Sequence, residues 1–343
     1  MDQLKALAST SKGFFDIVGT RIYPEIVVPP VDLTGKRALV TGANTGLGFE
    51  IATTFARQGA EVYLLCRDAL KAKTARDEII KDTNNDNVFI ELVDFSSLAS
   101  ERDFIRRWGQ RSVEQQRIDI LVSNAGIAIS SKSTTKDGFE RCYQVNMLSH
   151  YALIIPLFQI GFMAPDARVI LMSSSGMYSS KRLDPEDLNS NDILATYKEG
   201  ETTNFEKLWS LSGRSKAGQV VFTRELQARL AESPRWKDVS VSACHPGAVR
   251  TGIYERPTGI AYNPVMARWA QKAMDTVGIS VQQGATTAIY LATQPEAALP
   301  EVRGKYWERC GWKWTPAWME DADLRTALWE KWGEDSRIRG VFN

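Results

Sequence analysis

The chain has 343 residues, a formal net charge of +1 and 43% hydrophobic residues, a size and balance that suit one globular domain. Near-neutral charge without a run of like charges excludes the electrostatic footprint that a nucleic-acid binder needs. The two histidines, His150 and His245, and the four cysteines, Cys66, Cys142, Cys244 and Cys310, form no CxxC pair and no helically spaced histidine pair. Neither a metal site nor a disulfide framework is expected. No apolar run approaches the roughly 20 residues of a membrane span, and the N-terminus has no apolar signal core. A cytoplasmic protein without a transmembrane segment is the expectation.

Residues 1–35 read as an arm, in which Leu4, Leu7, Phe14, Phe15 and Ile17 fit a small helix ahead of the extended Val28-Pro29-Pro30. From Lys36 onward, short apolar runs alternate with segments of helical period. Strands are predicted over Arg37–Thr41, Glu61–Cys66, Val88–Leu92, Ile118–Ser123, Arg168–Ser173 and Val239–Ala243. Helices are predicted over Leu47–Arg57, Leu70–Lys81, Leu98–Trp108, Phe139–Phe158 and Leu208–Leu230. The fold class is α/β, a single Rossmann-type doubly wound parallel sheet with helices on both faces, occupying residues 36–343. Residues 179–207 read as a long substrate-side loop, and 251–343 as a C-terminal substrate or packing region.

Directly after the first strand stands Thr41-Gly42-Ala43-Asn44-Thr45-Gly46-Leu47-Gly48, opening a helix. Glycines there permit a tight turn and let backbone N–H groups approach a pyrophosphate at a positive helix terminus. Strand, glycines and helix in that order make the signal specific.

This TGxxxGxG variant and the motifs after it resemble the short-chain dehydrogenase/reductase family, over about Leu33 to Trp329. Val62 to Asp68 and Gly304-Lys305-Tyr306-Trp307 are similar to its retinol dehydrogenase and WW-domain oxidoreductase branch and to related fungal reductases. The resemblance implies a cofactor site of Gly42, Asn44, Thr45, Gly46, Leu47 and Gly48. Asp94 would join it at the adenine, Asn124-Ala125-Gly126 beneath the cofactor, and Pro246, Gly247, Val249 and Thr251 at the nicotinamide carboxamide. Asn146 matches the catalytic-helix asparagine, Ser174 the substrate-orienting serine (with Ser173 and Ser175 adjacent), and Lys216 the motif lysine, which the resemblance places in the cofactor site as well. Homodimers or tetramers through the Asn146 and Lys216 helices also follow from it.

An NAD site places a carboxylate at the end of the second strand, on the ribose 2′-hydroxyl. Here Cys66 and then Arg67 occupy that end, and a guanidinium can grip a 2′-phosphate with two donors. NADP(H) is therefore the expected cofactor.

One position departs from the family pattern. Four residues before Lys216 the family carries a tyrosine, and this chain carries Ser212. A hydride delivered to a carbonyl leaves an oxyanion, and a lysine-tuned phenol normally supplies the proton. Three accounts follow. The first is an NADPH-dependent reductase of a hydrophobic carbonyl or secondary-metabolite intermediate whose proton comes from water over Ser212, from Tyr178 or from Tyr197. The second is a non-redox enzyme (dehydration, isomerisation or cyclisation) with structural NADP(H). The third is a catalytically silent or engineered-inactive member. The partner in the first two is a small hydrophobic substrate.

Ligands of such sheets lie beyond the strands' carboxyl ends, so residues from Met177 to Tyr197 and those after Thr251 are expected to wall the pocket. Trp312, Trp314 and Trp318 are expected there too, whereas Trp329 and Trp332 share a packing face with Leu324 and Leu328. His150 and His245 are expected to pack or bond locally.

Overall fold

The computed structural model describes residues 24–128, 131–201, 205–249, 278–340 and 342. The helix expected around Leu4 to Ile17, and Thr251, lie outside them. The strands are β1 (Arg37–Thr41), β2 (Glu61–Cys66), β3 (Val88–Leu92), β4 (Ile118–Ser123), β5 (Met163–Met172), β6 (Ser240–His245), β7 (Tyr306–Glu308) and β8 (Gly311–Lys313). They form one sheet in the order β3-β2-β1-β4-β5-β6-β7-β8. Neighbours pair in parallel except β8, which is antiparallel to β7. The order reverses between β1 and β4, and the crevice above that switch point is where such sheets bind ligands.

The helices that matter here are α1 (Gly46–Arg57), α2 (Ala69–Thr83), α3 (Leu98–Trp108), α4 (Ser149–Ile160), α5 (Phe205–Glu232), α6 (Val281–Thr293) and α7 (Ala322–Ser336). Along β1 the side chains alternate between two cores. Leu39 points into one core with residues of α3, α4, α5 and α7. Ala38 and Val40 point into the other with residues of α1, α2 and α6. Sheet period 2 thus builds a three-layer sandwich from strands that are apolar on both faces. Among the described residues no helix is long and apolar enough to cross a membrane.

Three features depart from the sequence expectation. The helix predicted over Phe139–Phe158 is broken by a π-helical turn, Gln144–Leu148, ahead of α4, a device often found at functional sites. Strands β7 and β8 were not anticipated, because three-residue strands carry too little periodicity to read. Their two-residue turn is Arg309-Cys310, both in the left-handed region at φ 51 and 55, as a type I′ hairpin requires. The 179–207 segment is not open loop throughout. It carries a 3₁₀ turn at Pro185–Asp187 and a short helix at Asn191–Leu194, and Lys132 Nζ pins it by donating to the carbonyls of Leu194 and Tyr197.

The tryptophans divide as burial dictates. Trp307, Trp329 and Trp332 are buried in the cores, the last two against Tyr151 and Phe222. Trp332 Nε1 is buried with no hydrogen-bond partner, so its worth is its area. Trp332→Ala is expected to cost roughly 3–5 kcal/mol of unfolding free energy, and Trp332→Phe distinctly less, because it also removes an orphaned donor. Denaturant titration checks this, and equal losses in the two variants would contradict it.

Candidate active site

A cavity of about 1250 Å³ runs along the carboxyl ends of the strands, from the β2–α2 corner to the first turns of α5. That exceeds a drug-sized pocket of roughly 300–1,000 Å³ and gives room for a dinucleotide and a substrate together.

The glycine-rich turn forms one wall. Gly42 and Gly46 have φ of 65 and 58, values that only glycine adopts readily. Asn44, Thr45, Gly46 and Leu47 line the cavity. Gly48 lies just behind them, and a Cβ on it would fall 2.5 Å from both the Gly42 carbonyl oxygen and Asn124 Nδ2. Thr45 makes no side-chain capping bond to α1, and no acid stands in that helix's first turn. By contrast Asp68 caps α2 and Ser97 caps α3. The N-terminus of α1 is thus left open toward the cavity, as an anion site needs. Opposite it, the Thr41 hydroxyl accepts the backbone N–H groups of Asn124 and Ala125, and Asn124 Nδ2 donates to the Thr41 carbonyl at 2.9 Å. These bonds fix Asn124, Ala125 and Gly126 as a floor.

At the outer end lie Cys66, Arg67, Lys71 and Asp94. Burial pushes the Cys66 thiol up to about 11, leaving it neutral. The Asp68 carboxylate accepts from the backbone N–H groups of Leu70 and Lys71 and lies 3.8 Å from Lys71 Nζ, and beside these bonds the Lys71 and Arg67 charges help to hold it below its usual range. Asp94 is held by Ser96, whose N–H and hydroxyl both donate to its Oδ1. Lys71 was missed in the sequence. Its signal is its place in the first turn of α2, four residues after Arg67.

At the inner end lie Ser174, Ser212, Lys216, His245, Pro246, Gly247 and Val249. Ser174 caps a 3₁₀ turn by accepting from Gly176 N at 3.1 Å, which leaves its own O–H to donate into the cavity. Ser173 is committed elsewhere, donating to the Lys216 carbonyl at 2.9 Å. Ser212 and Lys216 share one face of α5. The helix comes this close because Gly213 packs on Gly176, where a Cβ would sit 2.9 Å from the Gly176 carbonyl oxygen.

Lys216 Nζ donates to the Met172 carbonyl at 2.6 Å and to Gln219 Oε1 at 3.3 Å, and burial pulls its ammonium down to about 8. Gln219, fully buried, donates onward from Nε2 to the Asn146 carbonyl at 2.7 Å. This glutamine also escaped the sequence reading, although its i+3 spacing from Lys216 was the available sign.

The other expected residues lie in different places. Asn146 is fully buried behind the cavity wall. Its side chain clamps Ile127, accepting from the N–H at 2.8 Å and donating to the carbonyl at 3.0 Å. Tyr178 turns into the core and donates to the Trp314 carbonyl at 2.8 Å; it does not line the cavity and is not positioned as a proton donor. Among the described residues none from Met177 to Tyr197 lines it, nor do Trp312, Trp314 or Trp318. Trp312 and Trp314 are 57% and 50% exposed, because the β7–β8 hairpin carries them to the sheet edge. His150 bonds locally, with Nε2 3.1 Å from the Ala125 carbonyl. His245 instead lines the cavity with both ring nitrogens unpartnered, and burial lowers it to about 4, so the ring is neutral near pH 7. Among the described residues no group of His, Cys, Asp or Glu could hold a metal.

The sequence pattern of the short chain dehydrogenase family matches residues 36–181. Mouse (Mus musculus) retinol dehydrogenase 13 is 34% identical over 313 residues, covering 90% of this chain and 85% of that protein. The chain belongs to the short-chain dehydrogenase family, in its retinol dehydrogenase branch. Solved structures agree on the fold of this short-chain dehydrogenase. An uncharacterized protein from Mycobacterium paratuberculosis superposes with a TM-score of 0.65 at 24% identity, covering 91% of this chain and 97% of its own. The RhlG/NADP active-site complex of Pseudomonas aeruginosa superposes with a TM-score of 0.57 at 26% identity, covering 82% and 96%. The open α1 terminus, the glycines that a Cβ would fill and the Asn124 floor fit the nicotinamide cofactor of such oxidoreductases.

Proposed function

We propose that this short-chain dehydrogenase is an NADPH-dependent reductase of a hydrophobic carbonyl compound, a secondary-metabolite intermediate being one such substrate. The observation that carries the reading is the cavity that joins an open helix N-terminus and Arg67 to Ser174 and Lys216. An NADP complex among the structural neighbours supports the choice of nucleotide.

When bound, the dinucleotide supplies hydride to the carbonyl carbon. The chain's own residues do the rest. Backbone N–H groups at Thr45 to Leu47 hold the pyrophosphate. Arg67, with Lys71 beside it, takes the 2′-phosphate. Ser174 donates its hydroxyl to the substrate oxygen, and Lys216 stabilises the charge that develops there. A non-redox reading is favoured by one observation, Ser212 where a phenol is expected, and it predicts that NADPH binds without being consumed.

Arg67→Ala is expected to weaken NADPH binding by about 10- to 100-fold, the worth of a charge-assisted hydrogen-bond pair, while leaving NADH binding nearly unchanged. Fluorescence titration of both nucleotides measures this. An unaltered NADPH-to-NADH preference would sink the 2′-phosphate assignment. Single-turnover oxidation of bound NADPH across hydrophobic ketones and enones tests the reaction itself.

A further inference from the structure

The substrate oxygen must receive a proton, and the usual phenol is missing. Among the described residues, Tyr178 is turned away, Tyr197 does not line the cavity, His245 is neutral near pH 7, and a serine hydroxyl at 212 is a far weaker acid than a phenol. Lys216 remains.

Its surroundings differ from those of a structural lysine. Among the described residues no carboxylate pairs with it. An ammonium has three N–H donors, and the protein occupies two, through the Met172 carbonyl and Gln219 Oε1. A Cβ built on Gly126 would stand 3.6 Å from Nζ, so the absence of a side chain there keeps that flank of the nitrogen open. Ser212, one turn earlier on the same helix face, lines the cavity with Lys216 and ends several bonds short of where a phenol oxygen would lie. The titratable groups facing the ammonium are Cys142 from the turn before α4, His150 from α4 and Cys244 from β6. Burial and the neighbouring ammonium hold His150 down to about 3, and burial pushes Cys244 up. Neither supplies a counter-charge.

We propose that Lys216 is the general acid of this enzyme, its third N–H protonating the substrate oxygen across the space that Ser212 leaves open. The proposal rests on the reductase reading. In the step, an N–H bond of the ammonium breaks and its electron pair stays on nitrogen. An O–H bond forms on the alkoxide left once the carbonyl carbon has accepted hydride from the reduced nicotinamide. The neutral amine then regains a proton from water in the cavity. Gln219 is a positioning residue, aiming the ammonium from its anchor on Asn146. Burial that lowers the ammonium to about 8 also suits it to proton transfer near neutral pH.

The test has two readouts. First, the full chain with ¹⁵N-labelled lysine is titrated by NMR without nucleotide, and the Lys216 Nζ signal is assigned by its loss in Lys216→Arg. It is expected to titrate near 8, and to move upward by about 1–3 pH units in Gln219→Glu, which brings a carboxylate to the nitrogen. Titration alongside exposed lysines, near 10.5, overturns the proposal. Second, single-turnover NADPH consumption is followed against pH. The acid form is present below its pKa, so the rate is expected to fall as pH rises through about 8, and this limb is expected to shift upward in Gln219→Glu in step with the NMR titration. Consumption whose pH profile ignores both changes overturns the lysine's role alone. No consumption at any pH, with NADPH bound, overturns the reductase reading and this proposal with it.

Discussion

Replacing Ser212 by tyrosine is expected to raise the single-turnover rate of carbonyl reduction at least about tenfold, short of the full ~10²- to 10⁴-fold worth of a positioned general acid because Lys216 already supplies a proton. The new side chain would stand one helical turn from Lys216, on the face that lines the cavity. Its phenol would sit beside a buried ammonium, which lowers a phenol's pKa toward the working range. The packing of Gly213 on Gly176 is already the close approach that brings this turn of α5 to the site. The alkaline limb of the pH profile should then change its owner, from the lysine to the lysine–tyrosine pair. Stopped-flow absorbance at the nicotinamide band measures both effects. A variant that folds and binds NADPH as tightly as before, yet reduces no faster, would mean that the inner end of the cavity is shaped for different chemistry.

The second large effect belongs to the glycine turn. Gly48→Ala is expected to weaken NADPH binding at least about tenfold and to cost about 1–3 kcal/mol of stability, the range for overpacking a tight contact. A Cβ there meets a backbone carbonyl and the Asn124 amide at 2.5 Å. Neither can yield cheaply, since Asn124 is bonded to Thr41 and forms the floor of the site. Gly311→Ala is the control, because its nearest contact would be an ordinary 3.8 Å. Nucleotide titration and thermal unfolding of the two variants together decide the point. Equal behaviour would show that the Gly48 contact relaxes without cost.

The long β-branched and leucine-rich strands were legible because burial on both faces leaves continuous apolar runs, and Arg37–Thr41, Glu61–Cys66, Val88–Leu92 and Ile118–Ser123 form as read. The glycine turn was equally plain, since its chemistry is local in sequence. What stayed hidden depends on direction and on distant partners. Nothing local to Tyr178 tells that its hydroxyl meets the Trp314 carbonyl, 136 residues away. The exposure of Trp312 and Trp314 follows from a hairpin of three-residue strands whose turn uses Arg309 and Cys310 instead of glycine. Gln219 carries no motif, and its importance comes from bridging Lys216 to the backbone of the π-helical turn.

On the proposed reductase function, the chain's residues support hydride chemistry without a phenol at position 212. Its most direct test is single-turnover mixing of the NADPH-loaded wild-type protein with hydrophobic ketones and enones, following nicotinamide absorbance and product together. NADPH is expected to be consumed and an equivalent amount of reduced product formed, with a rate that declines above about pH 8 as Lys216 loses its proton. Tight NADPH binding with no loss of absorbance over many minutes for every carbonyl tried would contradict the reductase function.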